Sequence, residues 1–116
     1  MKLIRSFAHA FRGLSSALRE EQNLRIHFLA LIIVGALGFY FRIETWEWCV
    51  LILTGALVIS LELVNTAIEN WTDLVTREQN PLVGKIKDIS AAAVLVAAIG
   101  SVVIGICIFG KYVLDF

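Results

Sequence analysis

Residues 60–73 read SLELVNTAIENWTD and follow directly on the apolar run CVLILTGALVI. On one helix, with Glu62 taken as zero, Asn65 falls at about −60°, Thr66 at about +40°, Glu69 at about −20° and Asp73 at about +20°. These groups form one polar stripe, while Leu63, Val64, Ala67, Ile68, Trp71, Leu74 and Val75 take the remaining directions. Glu62 and Glu69 lie about 10 Å apart along the axis. Carboxylates aligned on one face repel one another unless protons, basic side chains or a cation intervene. Ionisable groups in a stretch apolar enough for a bilayer are costly, so they mark a functional site.

Two arrangements satisfy such a stripe. In one, Lys85 and Lys87 reach back and form an ion-pair network that fixes helix packing. In the other, a divalent metal intervenes: Mg²⁺ takes one or two carboxylates and completes its shell with water and phosphate oxygens. Glu20 and Glu21 supply further carboxylates just before the first apolar run. Lys87 suits phosphate as a point charge, and Asp88 beside it serves either as a helix N-cap or as part of the same site. The chain has no GxxxxGK[ST] stretch, so a bound nucleotide would be held by side chains and metal. His9 and His27 have no ligand partner at recognisable spacing and are read as surface or interfacial residues. Cys49 and Cys107 sit in apolar runs and are read as buried, soft hydrophobes.

The elements that carry these residues follow from hydropathy. Of 116 residues 59% are hydrophobic, with a mean hydropathy of +0.82, which exceeds the roughly half expected of a soluble domain. Apolar runs at 26–41, 49–61 and 89–110 predict three membrane helices. The second must extend through Glu62 toward Val75 to reach crossing length. The fold class is therefore all-α and integral to a membrane, one domain over 1–116, with spans at 24–41, 46–75 and 88–110. Over 1–23, Leu3, Phe7, Phe11, Leu14 and Leu18 share one face opposite Arg5, Arg12 and Arg19. That pattern predicts an amphipathic helix on the membrane surface, its arginines anchoring it or facing a phosphate. The N-terminal stretch lacks the continuous apolar core of a signal peptide and is expected to stay on the mature protein.

Lys2, Arg5, Arg12, Arg19 and Arg25 precede the first span, and Arg77, Lys85 and Lys87 lie between the second and third. Arg42 and Lys111 are alone on the other side, so the N-terminus and the 76–88 loop are expected in the cytoplasm. Ala93, Ala97, Ser101 and Gly105 recur every four residues and predict close helix packing, including between subunits. A chain this short buries little core alone, so partner copies are expected. Ten basic and ten acidic residues balance, and nothing in that balance points to a nucleic-acid partner.

The order Glu62-x-x-Asn65-Thr66-Ala67-x-Glu69-x-x-x-Asp73, then Gly84-x-x-Lys87-Asp88 and an alanine-rich span, resembles the prokaryotic diacylglycerol kinase family, which includes undecaprenol kinases. The likeness takes in the N-terminal helix, the Arg19-Glu20-Glu21 turn and the three spans, nearly the whole chain. It implies a homotrimer in the bacterial cytoplasmic (inner) membrane, with active sites at subunit boundaries. The reaction implied is transfer of the γ-phosphate of MgATP to the hydroxyl of a membrane lipid. By the same resemblance Glu62 is the general base, and Glu21 with Glu69 are the metal carboxylates. Asn65, Glu69, Asp73, Glu78, Gln79, Asn80, Lys87 and Asp88 are the nucleotide side. Arg12 and Ala91, with Glu62 and Asn65, are the lipid side. The NPLVGKIKD stretch is more like the undecaprenol kinase branch. Asn70, Trp71 and Thr72 depart from the small or apolar residues usual in the family, which bears on local packing and lipid fit.

A second class of function is a small proton-coupled transporter or channel subunit, in which intramembrane glutamates bind and release protons. It requires polar residues through to the far side. Here the stripe ends at Glu62 and the far half of every span reads as apolar. A third reading, a purely structural subunit, requires that losing Glu62 leaves nothing changed but that side chain.

Overall fold

A computed structural model of the chain describes residues 1–114. Four helices follow one another: α1 (Lys2–Glu20), α2 (Gln22–Phe41), α3 (Thr45–Val75) and α4 (Pro81–Leu114). The last three are each long and apolar enough to cross a membrane. At 1.5 Å per residue α2 is about 30 Å long, α3 about 46 Å and α4 about 51 Å, against a hydrocarbon core of about 30 Å. Only α2 matches the bilayer; α3 and α4 overreach it.

The joints are short and each helix end finds its hydrogen-bond partners. A single extended residue, Glu21, separates α1 from α2. The last carbonyls of α1 have no partner within the helix, and the Arg25 guanidinium donates to those of Leu18 at 2.7 Å and Arg19 at 3.0 Å. At the far end of α2, Arg42 adopts the left-handed conformation (φ 52°). Its N–H donates to Phe39 O, and Ile43 N–H donates back to Gly38 O at 3.2 Å, which closes the helix in a Schellman turn. Glycine at 38 is needed for space: a Cβ on it would come within 2.6 Å of the Trp48 ring.

α3 and α4 form the main helix pair, with α2 packed on α3. Their first and last turns are tied by Glu47, which is fully buried. One carboxylate oxygen accepts from the Glu44 N–H at 3.0 Å, completing a capping box, and from the Tyr112 hydroxyl. The other pairs with Lys111 Nζ at 2.8 Å. Tyr112 in turn stacks on Phe41 of α2, with 5.8 Å between ring centres, so three helix ends meet there. The far ends of the spans are thus not purely apolar, and Lys111 is not alone. The partners are 64 residues apart in sequence, beyond the reach of any spacing rule.

α4 begins at Pro81, seven residues ahead of the span expected from 88. Asn80 caps it: its Oδ1 accepts from the N–H of Leu82 at 2.9 Å and of Val83 at 3.4 Å, while proline fills a first-turn position that needs no donor. Asp88 is therefore not an N-cap but lies two turns inside the helix. Cys49 and Cys107 are exposed on the apolar surface, not buried.

Buried apolar side chains are few among the described residues: Ala17, Leu24, Ile43, Val58, Val94 and Ile108. Leu29, Ile32, Leu53, Val96, Val102 and Ile106 all face outward. Register among the helices therefore leans on specific contacts. Glu47→Ala, which leaves Lys111 and Tyr112 without their shared acceptor, is expected to lower the thermal midpoint of the detergent-solubilised protein by several degrees. Glu47→Gln, which keeps an acceptor for Tyr112 and for the Glu44 N–H, should lose clearly less.

Candidate active site

The polar stripe of α3 faces the rest of the molecule as its spacing requires. Glu62 is 2% exposed, Asn65 7% and Thr66 5%. The Thr66 hydroxyl donates to Glu62 O at 2.9 Å and the Thr72 hydroxyl to Glu69 O at 2.9 Å, so both hydroxyls are spent within the helix. Asn65 Nδ2 donates to Glu69 Oε1 at 3.2 Å. Its Oδ1 is buried and accepts from nothing among the described residues. A buried acceptor without a donor is costly, and water, an ion or a further donor satisfies it.

Glu21 comes to this stripe from the α1–α2 joint. Burial pushes its carboxyl above the ordinary value of 4.5, and the neighbouring charges of Glu69, Glu62 and Glu20 add to that against a smaller opposing pull from Arg25. The carboxylates of Glu21, Glu62 and Glu69 thus sense one another at the meeting of α1, α2 and α3. Neither Lys85 nor Lys87 joins them. Lys87 instead pairs with Asp73 at 2.5 Å, where α3 and α4 project together. The ion-pair network is therefore real at Asp73 and does not extend to the three glutamates.

Asn65 bonds Glu69, Glu21 lies near enough to Glu69 for their charges to interact, and each offers a carboxylate or carbonyl oxygen. Hard oxygens are what Mg²⁺ prefers. Among the described residues no three His, Cys, Asp or Glu side chains converge tightly enough to hold a metal alone. Mg²⁺ commonly takes one or two protein carboxylates and fills its shell from phosphate and water. The residues fit a magnesium–phosphate group.

A cleft of about 450 Å³ opens beside this region at the α3–α4 turn. Asp73, Glu78, Gln79, Asn80 and Lys87 all line it, which gathers five of the expected nucleotide residues on one surface. Asp88, Arg12 and Ala91 are exposed and make none of these contacts. Of the departures, Asn70 and Trp71 face outward, while Thr72 turns inward and bonds the helix backbone.

His27, read from sequence as a surface or interfacial residue without a partner, does have one: its Nε2 on α2 stands 3.7 Å from Glu62 Oε2. The two lie on different helices, 35 residues apart. The available signal was its phase, early in the first span and level with the deep end of the polar stripe.

Comparison with known proteins adds to this geometry. A family model described as prokaryotic diacylglycerol kinase matches residues 8–109. The chain is 40% identical over 108 residues to the undecaprenol kinase of Bacillus subtilis, covering 93% of this chain and 88% of that protein. It is 39% identical over 107 residues to the diacylglycerol kinase of Synechocystis sp., covering 91% of this chain and 61% of that longer protein. To the diacylglycerol kinase of Escherichia coli K12 it is 28% identical over 102 residues, 88% of this chain and 84% of that protein. A match that runs through all four helices and every carboxylate of the stripe leaves one conclusion: the chain belongs to the prokaryotic diacylglycerol kinase family of lipid kinases.

Proposed function

We propose that this lipid kinase transfers the γ-phosphate of ATP, with Mg²⁺, to the hydroxyl of undecaprenol in preference to diacylglycerol. The observation that carries the reading is the buried Glu62, set where α3 leaves bilayer length, with Glu21, Asn65 and Glu69 beside it. Glu62 lies about 26 Å along α3 from Thr45, close to one face of a hydrocarbon core of about 30 Å. A lipid hydroxyl reaches that depth from the membrane, and a nucleotide reaches it from water.

Phosphoryl transfer is mostly positioning and charge neutralisation. Glu21 and Glu69, with Asn65 Oδ1, would hold Mg²⁺, which would supply charge neutralisation at the phosphate oxygens; the cleft at the α3–α4 turn takes the nucleotide, and Lys87 exchanges Asp73 for a phosphate. The lipid oxygen then bonds to the γ-phosphorus as the bond to the ADP oxygen breaks, and Glu62 takes the hydroxyl proton. Asp88, Arg12 and Ala91 complete the site in the assembled enzyme, Asp88 on the nucleotide side and the other two on the lipid side.

The preference for undecaprenol rests on the likeness to the Bacillus protein of that name and on the NPLVGKIKD stretch. A homotrimer accounts for the many outward apolar residues that one chain leaves uncovered. Lysine and arginine flanks orient the N-terminus and the α3–α4 turn to the cytoplasm of a bacterial inner membrane. α1 lies on that surface, with Leu3, Phe7 and Phe11 in the lipid. The transporter alternative is less well supported: the far-side polar groups Glu47, Lys111 and Tyr112 are bonded to one another at the helix ends, and the groove between the helices is walled largely by apolar side chains such as Val34, Leu51, Val58 and Val102.

Purified protein in mixed micelles, given ATP labelled in the γ-phosphate, is expected to label undecaprenol with a higher kcat/KM than diacylglycerol. Glu62→Gln should lower kcat by roughly 10²–10⁴-fold while its thermal midpoint holds. Transfer to neither lipid by a folded protein, or full activity in Glu62→Gln, would sink the reading.

Glu21 supplies a test that needs no turnover. Its carboxyl binds a proton more tightly in the folded chain than in the unfolded one. Its contribution to stability is therefore fully present below the ordinary carboxylate pKa and is lost as pH rises through the higher folded value. In the metal-free protein, the thermal midpoint of Glu21→Gln is expected to fall less than wild type over that window. Added Mg²⁺ and ATP should raise the wild-type midpoint at neutral pH and leave that of Glu21→Gln nearly unmoved.

A further inference from the structure

Glu62 is almost sealed from solvent, and a buried carboxylate without a partner carries a large desolvation cost. Among the described residues, the one side chain within ion-pair distance of its oxygens is His27, whose Nε2 stands 3.7 Å from Oε2. The charged groups nearest in the chain are otherwise engaged: Arg25 spends its guanidinium on the carbonyls of Leu18 and Arg19. Thr66, one turn along, donates its hydroxyl to the Glu62 backbone rather than to its carboxylate. Among the described residues no other side chain of α2, α3 or α4 donates to this carboxylate.

His27 also marks a boundary. It lines a groove of about 290 Å³ between α2, α3 and α4 whose other walls include Val34, Leu51, Val58 and Val102. The Ser101 hydroxyl in that wall is already spent on Ala97 O at 2.8 Å. The imidazole therefore stands between an apolar groove and a buried carboxylate. A helix-borne ring packed in this way has few rotamers, so it fixes whatever it contacts.

We propose that His27 is a positioning residue for Glu62. Through Nε2 it holds Oε2, keeps the carboxylate in one rotamer, and leaves Oε1 to take the proton of the acceptor hydroxyl. The contact is longer than a hydrogen bond in the ligand-free chain, as such contacts commonly are before substrate closes the site. This inference rests on the lipid kinase reading, with Glu62 as its base.

The test is steady-state kinetics of the full chain in mixed micelles, with undecaprenol varied at saturating MgATP and MgATP varied at saturating undecaprenol, for wild type, His27→Met and His27→Gln. Thermal midpoints are recorded alongside. Met fills the volume without a donor; Gln restores an N–H near the position of Nε2. His27→Met should lose roughly ten- to hundredfold in kcat with the KM for ATP unchanged, and His27→Gln should recover most of it. Wild-type kcat in His27→Met, or a loss that His27→Gln does not restore, overturns the inference and leaves the kinase reading standing. A wild-type protein that phosphorylates no lipid overturns both, and is told apart because that measurement involves no variant. Should His27→Met fail to fold, His27→Leu takes its place under the same criteria.

Discussion

An α-helix gains 1.5 Å per residue, and the bilayer offers about 30 Å of hydrocarbon in which every backbone polar group must find its partner inside the protein. α3, with 31 residues, cannot be contained in that thickness. The excess has to emerge on one side, and most features of this protein follow from where it does so. At Thr45 the helix starts with a capping box and is tied at once to the end of α4 and, through the Phe41–Tyr112 stack, of α2. With that end fixed, the surplus of α3 and α4 emerges at the other, beyond Glu62.

Both ends use acid–lysine pairs, but to different purposes. Glu47 is fully buried, and its pair with Lys111 and Tyr112 is one that cannot be broken without leaving a charge uncompensated. It sets the register of two long helices. Asp73 and Lys87 are partly exposed, where ion pairs contribute little to stability. A lysine so weakly held can leave its partner for a phosphate at small cost. Burial, more than residue type, separates the structural pair from the exchangeable one.

Between these ends lies a cluster that is poorly stabilised as it stands. Glu21, Glu62 and Glu69 repel one another, Glu21 holds its proton above the usual range, and Asn65 Oδ1 is buried without a donor. A fold tolerates such frustration where something else resolves it, and membership of a lipid kinase family gives that something a chemical class. In the proposed reading, magnesium and phosphate would neutralise the acids that face water, and His27 would hold in place the one beside the apolar groove.

The sequence by itself determined the periodic features. Residues 62, 65, 66, 69 and 73 fall on one face because 3.6 residues make a turn, and three spans follow from the length of the apolar runs. Helix ends were less legible: the third span was expected to open at Asp88, whereas the Asn80 side chain caps α4 at Pro81, within the stretch read as a loop. What only the tertiary structure decided are pairings between helices: His27 with Glu62, Glu47 with Lys111 and Tyr112, and Lys87 with Asp73 in preference to the other acids. Helical periodicity fixes a residue's direction on its own axis. It carries no information about the axial shift and rotation of one helix against the next, which packing and the buried Glu47 pair set.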